Sequence, residues 1–179
     1  MNNEKSQGVI CLNLGCGKDI KEGYINLDIS KFKGVDVVHN LDKFPYPFPS
    51  NYFDEVYARD SIEHLKDLFK TMKEIHRICK NGAIVNIIVP YWHSSNAFYP
   101  NHHYFFNTDS MKFFTIKGYD DCRFEIKSIK LIPSRVGWLI PPIPIPRFIF
   151  SNVLDLRHLV SYFLGEIILK IDFIMRPIK

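Results

Sequence analysis

Two sets of residues in this chain have the types and spacing to do chemistry. The first closes a series of short apolar runs: Gly15-Cys16-Gly17 follows Leu12-Asn13-Leu14, Asp28 ends Tyr24–Asp28, Asn40-Leu41-Asp42 ends a third run, and Arg59-Asp60 ends a fourth. Glycines in such a place let a backbone approach a ligand closely. A carboxylate there can accept hydrogen bonds from both hydroxyls of a ribose. The second set is Tyr91-Trp92-His93 with Pro100-Asn101-His102-His103-Tyr104-Phe105-Phe106. Imidazole can take a proton from a hydroxyl near neutral pH, so His93 and His103 are candidate bases in an aromatic-walled site. The same histidines could equally cap loops or fill the wall. Three of them could also suggest a metal, but no carboxylate or cysteine is paired with them, and no metal is expected.

These residues need elements to hold them. Val9–Leu14, Tyr24–Ile29, Val35–Leu41 and Phe53–Arg59 read as short strands. Asp60 as N-cap with Glu63 three residues later forms a capping box. Leu65, Leu68, Phe69, Met72, Ile75 and Cys79 then recur at helical spacing up to Asn81-Gly82. Ala83–Val89 reads as a central strand ended by Pro90, and Thr108 or Asp109 can cap a second helix through about Lys117. Phe124–Ile132 alternates as a strand with one wet face, and Leu169–Arg176 alternates again. Strands separated by loops and helices predict an α/β fold with a mostly parallel sheet and an antiparallel last strand. Ligands in such sheets sit beyond the carboxyl ends of the strands, where the polar residues above fall.

With 179 residues, 46% of them apolar and 23% charged, the chain suits one domain, residues 1–179. Residues 133–165, Pro-rich and then helical (about 152–164), form an insertion or lid before the last strand. Within it Trp138–Phe150 carries four prolines and cannot be a helix. A lid or edge cover ranks first for it, a dimer surface second and a membrane contact third. The net charge of +4 does not announce a nucleic-acid binder. Lys66, Lys70, Lys73, Arg77 and Lys80 form a basic stripe at helical spacing, read as a solvated face before a phosphate contact. Four cysteines without a C-x-x-C pair suggest a reducing setting. With no apolar leader core and no run approaching a membrane span, a cytoplasmic location is expected.

The ordered stretches Leu12–Gly17, Tyr24-Ile25-Asn26-Leu27-Asp28, Phe44–Phe48 with Phe53-Asp54-Glu55-Val56, Asp60–Leu65, and Glu74–Ile78 before Gly82 resemble the class I S-adenosylmethionine (SAM)-dependent methyltransferases, in particular the type 11 group. The resemblance covers about residues 9–132. It implies a Rossmann-like sheet, SAM as cofactor, and methyl transfer to an acceptor. It places Gly15, Cys16 and Gly17 at the methionine part of the cofactor, Asp28 at the ribose, and Ile29, Asn40, Leu41 and Asp42 around the adenine, with Asn13 also among the cofactor-binding residues. Arg59, Asp60 and His64 fall near the sulfonium. The departure from the pattern is short: only nine residues, Gly15–Gly23, join the first two strands, so the first crossover helix must shrink to about a turn.

An NAD site would need a third glycine where Ile20 stands, and an acidic residue later than Asp28. No Asn-Pro-Pro-Tyr run follows the fourth strand, where Arg59-Asp60-Ser61-Ile62 stands instead. That argues against amide and adenine N-methylation and leaves small molecules, sugars and lipids as acceptors ahead of nucleic acid. The alternative from another class is a non-catalytic Rossmann-like module that binds a nucleotide or SAM. A pocket formed by residues 91–106 beside the cofactor would separate the two.

Overall fold

The computed structural model describes residues 8–116, 122–134 and 167–179. Seven strands form one sheet in the order β3-β2-β1-β4-β5-β7-β6: β1 (Cys11–Leu14), β2 (Tyr24–Asp28), β3 (Val37–Val38), β4 (Phe53–Arg59), β5 (Cys79–Pro90), β6 (Arg123–Pro133) and β7 (Ile168–Ile178). β3, β2, β1, β4 and β5 run parallel, while β7 is antiparallel to both β5 and β6. The order reverses between β1 and β4, which is where such a sheet opens a crevice for a ligand. The expected mostly parallel α/β sheet with an antiparallel last strand is the one observed.

The strand bodies are apolar because they are covered. Leu12, Leu14, Leu27, Val56, Val85, Ile87, Ile171 and Phe173 are fully buried in one core. The single α-helix among the described residues, α1 (Leu68–Ile78), adds Leu68, Met72, Ile75 and Ile78 to that core. No helix forms between β1 and β2. Turns alone make the crossing, as nine residues require.

Both ends of α1 differ from the sequence expectation. Asp60 does not cap α1. Its φ of 49° is left-handed, and the chain instead makes a short 3-10 turn, Ile62–His64, before extending through Leu65. The cap is Asp67, whose carboxylate accepts from the Lys70 amide at 2.9 Å. Phe69 is exposed, so the apolar face is narrower than its spacing suggested. At the other end Cys79 belongs to β5, not to the helix, and the strand runs through Asn81-Gly82 to Pro90. The helix expected from Thr108 or Asp109 is a 3-10 turn, Lys112–Thr115. Pro133, the first residue of the expected lid, ends β6, and the lid from residue 135 to 165, with Trp138–Phe150 and the helix at about 152–164, lies outside the described residues. Among the described residues no helix is long and apolar enough to cross a membrane.

The basic stripe is largely committed to the fold. Lys70 pairs with Asp67 at 3.2 Å, and Lys80, which is on β5, pairs with Asp54 at 2.8 Å. Arg77 grips Glu74 with two nitrogens at 2.8 Å each, and also donates to the carbonyls of Phe48 and Tyr46. Glu74 in turn accepts from the Tyr46 amide at 2.7 Å. Burial raises the Glu74 carboxyl, but the Arg77 guanidinium and the Tyr46 amide outweigh it and hold it below the ordinary value of 4.5. A depressed carboxyl stabilises the native state fully above its unfolded pKa, and that contribution is lost as pH falls through the folded value. Glu74→Ala should therefore cost about 2–3 kcal/mol at neutral pH, by stranding the guanidinium and an amide. Denaturant melts at pH 7 and below pH 4 check this: the wild-type advantage should shrink in acid.

Candidate functional site

The strand ends at the reversal of the sheet enclose a cavity of about 330 Å³, lined by Gly15, Gly17, Asp28, Ile29, Asn40, Leu41, Asp42, Asp60, Ser61, His64 and Leu65. Gly15 has a φ of 66°, and a Cβ built on it would lie 2.6 Å from the Cβ of Ser61. Only glycine lets the β1 turn pass so close to the residue after Asp60. Asp28 is buried at the end of β2, where its Oδ2 accepts from the Gly17 amide at 2.8 Å and its Oδ1 from the Ser30 amide at 3.0 Å. One carboxylate therefore ties the glycine turn to the strand beside it. Each of its oxygens keeps a further lone pair for a ligand hydroxyl.

On the far wall, Asn40 Oδ1 accepts from the Asp42 amide at 2.9 Å, and Asp42 Oδ1 accepts from the Lys66 amide at 2.8 Å. Leu41 is buried, while Ile29 presents an exposed apolar side chain at the rim. Asp28, Asp42 and Asp60 line this space, Asp60 being paired with Lys170 and Arg59, and no Lys or Arg lines it among the described residues. Such a lining favours a cationic ligand and opposes a pyrophosphate.

Three of the residues expected at the cofactor do not line the cavity. Asn13 is buried behind the turn, donating to the Asp19 carbonyl at 2.6 Å and to Asn26 Oδ1 at 2.9 Å, so it braces the loop from inside. The Cys16 amide donates to the Leu27 carbonyl at 2.9 Å, and burial, its largest influence, with Asp28 next, pushes the Cys16 thiol up to about 11. Arg59 points along the surface toward Asp19 and Asp60, at 4.0 and 3.7 Å. Ser61 and Leu65 line the cavity although nothing in their residue types marks them as ligand contacts. Their only signal is their place right after the fourth strand end.

A second cavity, of about 210 Å³, adjoins the first through Asp60 and His64. Glu63, Pro90, Asn96, Tyr99, His102 and Lys170 complete its lining. The segment after β5 builds one wall. Its course is fixed by the Trp92 amide on the Phe106 carbonyl (2.8 Å), the His103 amide on the Glu63 carbonyl (2.8 Å), and the Tyr104 hydroxyl donating to the Lys66 carbonyl (3.0 Å). The Lys170 ammonium is paired with Asp60. His93 packs against Trp92 with ring centres 3.9 Å apart and planes tilted by 49°, and His103 is exposed; neither lines either of these two cavities. The imidazoles brought to this space are His64 and His102. Burial, the largest influence, holds the His102 imidazole below its ordinary value.

Glu63 is the unexpected member. It is fully buried, and neither carboxylate oxygen has a partner in hydrogen-bonding geometry. Burial pushes its carboxyl up to about 7, against the amides of its own turn and Lys170, with Asp60 adding to the rise. One ligand atom each from Glu63, His64 and His102 lie within 4.8 Å of one another.

Residues 12–87, from β1 into β5, match the family described as methyltransferase domain. Over 77 residues the chain is 34% identical to a cycloartenol-C-24-methyltransferase of Arabidopsis thaliana, covering 41% of this chain and 22% of that one. Over 106 residues it is 32% identical to a sterol 4-C-methyltransferase of Caenorhabditis elegans, covering 45% and 30%. The chain thus spans less than a third of the length of these two curated relatives. A SAM-dependent methyltransferase of known structure from Archaeoglobus fulgidus superimposes with a TM-score of 0.61 at 18% identity, covering 94% of this chain and 86% of that one. That likeness speaks for the fold. The family match over residues 12–87 runs through the strand ends that enclose the first cavity.

Proposed function

We propose that this chain transfers the methyl group of SAM to a small-molecule acceptor, with lipids ahead of sugars as the acceptor class. The observation that carries the donor assignment is the acidic, glycine-floored cavity at the reversal of the sheet, with Asp28 and Asp42 on its walls. These residues suit a cationic adenosyl donor: Gly15 and Gly17 give close approach, Asp28 keeps free lone pairs for ribose hydroxyls, and Ile29 and Leu41 offer apolar surface for a base. The same walls oppose the pyrophosphate of NAD. Bound SAM supplies a methyl group already activated by its sulfonium, so the chain's own work is alignment and exclusion of water.

The acceptor reading rests on the second cavity, which shares Asp60 and His64 with the first. Its wall comes from the segment after β5, the arrangement that favours an enzyme over a binding module. Trp92 and Tyr104 are half-buried near that wall and pack on the core. The two relatives are named for methylating sterols or cycloartenol, which supports an apolar acceptor. A cytoplasmic setting remains part of this proposal.

Calorimetry on protein freed of carried-over ligand tests the donor assignment. Saturable heat with SAM and with S-adenosylhomocysteine is expected. Heat with NAD and none with either adenosyl compound would overturn it. Radiolabelled SAM offered with sterols, free lipids and sugars then tests the acceptor class. Transfer to sugars but to no lipid would reverse the order of the two classes.

A further inference from the structure

We infer that Glu63, His64 and His102 bind a divalent transition-metal ion, with an oxygen of the acceptor or a water as a further ligand. The ion's presence stands on these residues alone, while its use on an acceptor rests on the methyltransferase reading. Glu63 and His64 are chain neighbours on the 3-10 turn Ile62–His64, and the fold brings His102 to them from the segment after β5.

Three independent features point to a cation. First, Glu63 is fully buried and leaves both oxygens without a hydrogen-bond partner, an arrangement that buried polar groups seldom tolerate. Second, both imidazoles are oriented by their other nitrogen. Nδ1 of His64 lies 3.2 Å from the Asn101 carbonyl, and Nδ1 of His102 lies 3.2 Å from the Ala97 carbonyl. With Nδ1–H donating to a carbonyl, Nε2 carries the free lone pair, which is how metal-bound histidines are held. The rings meet edge to face with centres 4.5 Å apart. Third, the ligand atoms already lie within 4.8 Å of one another. Side-chain shifts of about an ångström would bring them to the ~3–3.5 Å separation of ligands around an ion with ~2.1 Å bonds.

The donor set is two imidazoles and one carboxylate, which suits zinc, iron(II) or manganese and leaves coordination positions open. All three residues line the second cavity, so an open position there is within reach of an acceptor. Lys170 shares the cavity, but its ammonium is neutralised by Asp60. An ion in this place would bind an acceptor through a hydroxyl or carboxylate oxygen and make a hydroxyl more acidic. The acceptor class is thereby narrowed to molecules with such an oxygen on an otherwise apolar body.

The full chain, stripped with a chelator, is titrated with Zn²⁺ against a competing zinc indicator. One Zn²⁺ per chain is expected. Glu63→Gln and His102→Ala should each weaken binding by about 100-fold or more, since outer-shell changes alone cost 10–100-fold. His102 is half-buried, so its variant keeps the test decisive even if Glu63→Gln fails to fold. The double variant Glu63→Gln/His102→Ala sets the background from the four free cysteines. Wild-type binding no tighter than that background, or unchanged binding in folded His102→Ala, overturns the site. S-adenosylhomocysteine calorimetry on the same samples separates the two readings. A chain that binds the nucleoside but not zinc loses the metal site alone. One that binds zinc but no adenosyl compound keeps the metal site and loses the donor assignment.

Discussion

Asp28→Ala should weaken S-adenosylhomocysteine binding by about ten- to a hundredfold, the equivalent of about 1.5–3 kcal/mol in lost charge-assisted hydrogen bonds. The structure adds a second loss. The same carboxylate accepts from the Gly17 and Ser30 amides, so its removal also frees the glycine turn from β2. Stability should therefore fall too, by about 1–3 kcal/mol for two amides left without their acceptor. Asp28→Asn is no milder at this position. One of its two terminal groups becomes an amide donor and must face a backbone N–H. Both variants should bind S-adenosylhomocysteine worse than the wild type, in calorimetry run well below their melting temperatures. Unchanged affinity in a folded Asp28→Ala protein would show that the ribose is held elsewhere.

The strand ends are the legible part of this site. Gly15, Gly17, Asp28, Asn40, Leu41, Asp42, Asp60 and His64 all line one cavity, because apolar strand bodies ending in polar residues report where a parallel sheet presents its crevice. Local competition is what the sequence pattern does not reveal. Asp60-Ser61-Ile62-Glu63 has the form of a capping box, and a capping box needs Glu63 at the solvent edge of a helix's first turn. The left-handed Asp60 instead turns the chain inward, burying Ile62 and Glu63 and delaying the helix to Asp67. Glu63 is thereby hidden as a site residue, since its meeting with His102 is purely tertiary. Asn13 shows the reverse case: a polar residue in the right stretch whose amide serves Asp19 and Asn26 rather than a ligand. The start of β5 escapes the pattern for a similar reason. Cys79 continues the helical spacing of α1, yet its backbone is extended, with a ψ of 145°.

Gly15→Ala should be the most damaging small substitution in the donor cavity. Two costs add at that residue. A φ of 66° is left-handed and costs a non-glycine residue about 1–2 kcal/mol. The new methyl would also meet the Ser61 Cβ at 2.6 Å, and Ser61 cannot simply retreat, because it is buried and precedes the fully buried Ile62 and Glu63. Overpacking of that kind costs about 1–3 kcal/mol, so a total of about 2–5 kcal/mol is expected. S-adenosylhomocysteine affinity should fall at least tenfold, because either the turn or the β4 end must move into the cavity. Gly17→Ala is the control. Its φ of 50° carries the same backbone cost, but nothing lies within 4 Å of the added Cβ. It should lose about 1–2 kcal/mol and no more. The double variant Gly15→Ala/Ser61→Gly removes the clashing atom and should recover the packing share while leaving the backbone share in place. Denaturant melts on the four proteins measure each portion. If Gly15→Ala and Gly17→Ala destabilise equally, or if Ser61→Gly restores nothing, the close approach of the β1 turn to the β4 end is not what holds the cavity's floor.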